Sequence, residues 1–116
     1  MNKKEKVKEA EVEVTETFST RTPLVDIMEE EDGVVMEFEV PGANSESVDI
    51  EVDDHVLRVK ATSSLRYNDN RIQFKREFRL NEGADEENIS AATKDGILTL
   101  RIPKHERAKV HKIKVC

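Results

Sequence analysis

Residues 48 to 53 read Val-Asp-Ile-Glu-Val-Asp, one row wholly apolar and the other wholly acidic. Successive side chains of a strand point to opposite faces. This spacing therefore predicts a strand that buries Val48, Ile50 and Val52 and leaves Asp49, Glu51 and Asp53 in water. Asp53-Asp54-His55 supplies a turn, after which Leu57 and Val59 alternate with Arg58 and Lys60. The two runs together predict an antiparallel hairpin.

The same period recurs along the chain. Leu24-Val25-Asp26-Ile27-Met28 is a weak first run before the acidic turn Glu29-Glu30-Glu31-Asp32-Gly33. Val34, Met36, Phe38 and Val40 then share a face, and Pro41-Gly42 stops the run because proline lacks an N–H and glycine tolerates positive φ. Ile72, Phe74, Phe78 and Leu80 share another face, with Arg76 at the same parity between them. Ile89-Ser90-Ala91-Ala92-Thr93 is a short run, Lys94-Asp95-Gly96 signals a tight turn, and Ile97 to Ile102 forms a strand closed by Pro103. Residues 61 to 71, polar apart from Ala61, Leu65 and Tyr67, are expected to be a loop or hairpin tip around Asn68-Asp69-Asn70. About seven short strands with no helix in the core predict an all-β antiparallel sandwich.

A chain of 116 residues suffices for one such domain and is too short for two. Residues 1–22, which interleave Lys with Glu, are expected to be a flexible arm, since they hold too little apolar surface to offset the entropy of ordering. The sandwich is expected over 23–103, with a polar, flexible tail over 104–116 that ends in Ile113-Lys114-Val115. A net charge of −6 argues against a nucleic-acid partner, which requires clustered Lys and Arg in excess of local acid. No run approaches the roughly 20 apolar residues that span a bilayer. The start shows no secretory pattern and Cys116 is the only cysteine, so no membrane partner and a reducing, cytoplasmic setting are expected.

Nothing in the chain has the spacing of a catalytic constellation. His55, His105 and His111 are scattered, and no metalloprotease pair, Cys/His quartet, phosphate loop or nucleophile elbow is present. No catalytic residue, no metal and no cofactor is expected, and the chain reads as a non-enzyme.

Five segments, in order, resemble the small heat-shock protein family: Val25-Asp26-Ile27, Val40-Pro41-Gly42, Phe74-Lys75-Arg76-Glu77-Phe78-Arg79-Leu80, Asp95-Gly96-Ile97-Leu98-Thr99-Leu100 and Ile113-Lys114-Val115. The resemblance covers roughly residues 24 to 115. It implies an immunoglobulin-like sandwich of the α-crystallin type that forms homodimers, builds larger homo- or hetero-oligomers from them, and captures non-native client proteins without ATP.

By that resemblance Ile113 and Val115 dock into a neighbouring subunit's groove, here lined by Val48, Ile50, Val52, Ile89 and Ala91. The alternative is that Ile113 and Val115 fold back onto their own domain or are merely a frayed end. Arg76 is implied to lie at the dimer interface, where its guanidinium meets acidic groups. The alternative is a bulge that turns it to solvent. Two departures stand out. The arm holds a single aromatic, Phe18, where relatives carry a longer, Phe-rich one, and the 61–71 segment is short for a strand exchanged between subunits. The expected function is an ATP-independent holdase chaperone. The alternative is an assembly subunit that co-oligomerises with a longer-armed relative and binds clients weakly alone. The related co-chaperone sandwiches of the CS type lack the apolar tail triplet.

Overall fold

The computed structural model describes residues 16–116. Residues 1–15, which hold most of the expected arm, lie outside the described residues. Eight strands form two four-stranded sheets. One sheet holds β1 (Phe18–Arg21), β6 (Asn70–Arg79), β5 (Val56–Tyr67) and β4 (Val48–Asp53), in that spatial order. The other holds β2 (Val25–Glu30), β3 (Gly33–Glu39), β8 (Ile97–Pro103) and β7 (Ser90–Lys94). All neighbours are antiparallel except β1 and β6. Short 3-10 turns lie at Glu86–Asn88 and Glu106–Ala108.

The alternation fixes which residues meet between the sheets. Phe38 lies opposite Leu98 and Met36 opposite Leu100, while Leu57, Val59 and Ala61 supply the facing layer from β5. Phe38, Leu57, Leu98 and Leu100 are fully buried, and burying a side chain of this size stabilises by about 1.5–3 kcal/mol. Phe78 closes the core edge-to-face against Phe38, with centroids 5.9 Å apart.

Three hairpins close with two-residue loops whose residues all have positive φ: Asp54-His55, Asn68-Asp69 and Asp95-Gly96. This conformation matches the right-handed twist of the flanking strands, and Asn, Asp and Gly adopt it at least cost. Gly42 has φ 86°, and a Cβ there would run into the Ser63 hydroxyl.

Two expectations need correction, on the arm and on the tail, and a third is narrowed. The last residues of the expected flexible arm, Phe18–Arg21, form β1, held by backbone pairing to Arg71–Phe74 of β6. Of the two forms expected for residues 61–71, the hairpin tip is the one observed, at Asn68-Asp69; only the loop form is excluded, because β5 runs on to Tyr67 before it turns back. Hydrogen bonds between side chains and backbone replace apolar burial in that stretch. The buried Ser63 hydroxyl donates to the Pro41 carbonyl at 2.7 Å and accepts from the Leu65 N–H at 3.0 Å, and Gln73 donates to Thr62 at 3.0 Å. The tail is anchored at its start. Lys104 N–H donates to Asp32 O and His105 N–H to Gly83 O, both at 2.8 Å, and Lys109 reaches Asp32 at 3.6 Å.

Candidate docking groove between β4 and β7

β4 and β7 are the outermost strands of their sheets. Cross-strand partners share a face, so side-chain directions follow from register. Val48, Ile50 and Val52 stand opposite Ala61, Val59 and Leu57, and Ala91 stands opposite Leu100. All four edge residues therefore point the way the core points. Val48, Ile50, Val52 and Ile89 pack against the core but are only partly buried, and Ala91 is exposed although its partner Leu100 is fully buried. The two sheets thus leave an open apolar seam along this edge. Thr93, opposite Leu98, is a further half-buried residue of the seam that sequence reasoning missed. The period from Ile89 through Ala91 already pointed to it.

One end of the seam is tied across the sheets. His55, in the turn after β4, places Nδ1 2.6 Å from Glu86 Oε2, in the 3-10 turn before β7. The hydrogen bond to Glu86, then that carboxylate's charge and those of Asp54 and Glu82, raise the His55 pKa above 6.5. The outer row of β4 remains acidic. Asp49 and Asp53 lie 4.0 Å from Lys60 and Arg58, loose contacts between largely exposed groups, and Arg58 is engaged more closely with Glu77 at 3.0 Å.

The apolar tail residues do not approach this seam in their own chain. Val110, Ile113 and Val115 are 78%, 88% and 89% exposed, so Ile113 and Val115 do not fold back onto their own domain. At the base of the tail, the Lys109 pKa is raised chiefly by its hydrogen bond to Glu106, then by the charges of Glu106 and Asp32.

Arg76 keeps its parity on β6, opposite the buried Val59, with no bulge at that position. Its Nη1 donates to the Pro23 carbonyl at 3.0 Å and its guanidinium lies 5.0 Å from the centre of the Phe78 ring. Among the described residues no carboxylate lies within ion-pair distance of it. The β1 ladder ends opposite Phe74, so among the described residues the outer edge of β6 has no strand partner from Lys75 onward. Among the described residues no group of three or more His, Cys, Asp or Glu is placed to hold a metal ion, and no helix is long and apolar enough to cross a membrane.

The chain and its fold resemble known proteins. The chain is 34% identical over 104 residues to small heat shock protein C4 of Rickettsia felis, covering 81% of this chain and 64% of the relative. It is 37% identical over 90 residues to 18 kDa antigen 1 of Mycobacterium avium, covering 71% and 61%. The chain therefore spans under two thirds of the length of either relative. Among solved structures, hspA from Xanthomonas axonopodis superposes with a TM-score of 0.65 at 28% identity, over 74% of this chain and 96% of that one. A small heat-shock protein from Xylella fastidiosa, described as having a distinct high order structure, superposes with a TM-score of 0.66 at 26% identity, over 84% and 99%. The model of the Hsp20/alpha crystallin family matches residues 26–116, from within β2 through the apolar tail, and with these sequence and structural likenesses it makes the chain a member of that family.

Proposed function

We propose that the chain is an ATP-independent holdase of the small heat-shock type. It binds partly unfolded proteins through apolar surface left open at the sandwich edges and works from homodimers that build larger homo- or hetero-oligomers. The observation that carries this reading is the pairing of an open apolar seam with an apolar tail that stays off its own domain. Val48, Ile50, Val52, Ile89 and Ala91 form the groove, and Ile113 and Val115 of a neighbouring subunit dock in it. Burying each side chain contributes about 1.5–3 kcal/mol before ordering costs, so docking is weak and exchangeable. Arg76, on the part of β6 that β1 does not cover, sits at the dimer interface. The setting is cytoplasmic and reducing.

The test is light scattering from a heat-aggregating substrate mixed with the purified chain at equal mass and without nucleotide. Suppressed scattering is expected. Unchanged scattering sinks the holdase reading, and suppression that appears only after mixing with a longer-armed relative establishes the co-assembly role instead.

A further inference from the structure

The apolar seam accounts for Ile113 and Val115 but not for what surrounds it. Residues 46–54 carry Glu46, Asp49, Glu51, Asp53 and Asp54 with no Lys or Arg, a net charge of −5. Asp49, Glu51 and Asp53 stand on the outer face of β4, away from the core, and because β4 is an edge strand this acidic row runs along the outside of the seam as one lip. Glu51 has no cation within ion-pair distance among the described residues. At the Val52 end, Glu86 and Glu87 add further acid, with Glu86 already held by His55. The opposite lip presents Ser90 and Ala92, with Lys94 as its only charge at the far end.

The tail has the opposite sign. Residues 104–116 carry five Lys or Arg and one Glu, a net charge of +4, in a chain whose total is −6. Lys109 is engaged with Asp32 and Glu106 at the base. Lys112 and Lys114 flank Ile113 and have no carboxylate within ion-pair distance among the described residues. In an extended tail with Ile113 and Val115 pointing into the seam, Lys112 and Lys114 point out of it, toward the lips.

We propose that the seam selects its occupant by charge: the β4 row Asp49, Glu51 and Asp53 receives Lys112 and Lys114 of a second copy's tail. This rests on the docking proposed above and adds what chooses among apolar tails. The Ile-x-Val spacing is generic, whereas an acidic lip favours a basic tail and repels an acidic one. Each exposed pair is individually weak, so selection comes from several together and fades as salt screens them.

The test uses the full chain, with assembly mass followed by light scattering across protein and salt concentration. Lys112→Glu with Lys114→Glu is expected to raise the concentration needed for assembly by about tenfold at low salt, with an unchanged melting temperature because both residues are exposed. Adding Glu51→Lys and Asp53→Lys to that variant is expected to restore assembly. Ile113→Gly with Val115→Gly separates the two ideas. If it abolishes assembly while the charge variants assemble as wild type at every salt concentration, docking stands and charge selection is overturned. If it leaves assembly intact, the docking reading fails and charge selection falls with it.

Discussion

His55 Nδ1 lies 2.6 Å from Glu86 Oε2, and this contact joins the turn after β4 to the segment entering β7. The folded-state pKa of His55 is raised. The contact's charge-assisted stabilisation is therefore complete below the unfolded value near 6.5 and lost as pH rises through the higher folded value. Wild type is expected to melt above His55→Gln by a margin that is larger at pH 6 than at pH 8.5. Melting curves across that range check it, and a margin that does not change with pH would show that the proton plays no part.

The tight turn at Gly42 sets a second expectation. Its positive φ and the nearby Ser63 hydroxyl leave no room for a Cβ. Gly42→Ala should cost about 2 kcal/mol or more, through left-handed strain and displacement of a buried, hydrogen-bonded hydroxyl. Urea unfolding of the two proteins measures the difference.

Leu100 and Ala91 are neighbours across one ladder and yet should respond oppositely to substitution. Leu100→Ala empties space in a fully buried position and is expected to cost about 2–5 kcal/mol. Ala91→Phe fills the exposed seam instead, so it should leave the unfolding midpoint within about 0.5 kcal/mol of wild type while reducing assembly mass. Denaturation and light scattering on the same samples separate the two effects.

Arg76 ties β6 to the connector between β1 and β2 through the Pro23 carbonyl. Arg76→Met keeps much of the stem's packing and removes the charged donor, a loss of about 1.5–3 kcal/mol in unfolding free energy. If Arg76 lies at the dimer interface, as proposed, the same change also weakens dimerisation, read by sedimentation at matched concentrations. An unaltered dimer affinity would confine its role to the single chain.

The sandwich was readable wherever apolar burial does the work. The Val48–Val52 row, the Val34–Val40 row and the run from Ile97 to Ile102 all fell on the faces that period two assigns them. What stayed hidden is held by other forces. β1 rests on backbone pairing to β6, and the far half of β5 rests on Ser63, Thr62 and Gln73 satisfying one another and the backbone. Neither leaves a trace in hydropathy. The base of the tail is fixed by the carbonyls of Asp32 and Gly83, distant in sequence. The directions of the seam residues were legible from alternation. That both rows stay partly open depends on two strands being outermost, a property of topology that no local pattern records.

The three left-handed two-residue loops also bear on time. They join β4 to β5, β5 to β6 and β7 to β8, so these ladders close between segments already adjacent along the chain. Loops this short pay little closure entropy, and hairpins form in about 1–10 μs. The slower work left to the chain is bringing β3 against β8 and β1 against β6, and stacking the sheets. A protein whose proposed moment of use is a heat shock therefore carries, in three pairs of residues, the means to recover its own fold quickly once the temperature falls.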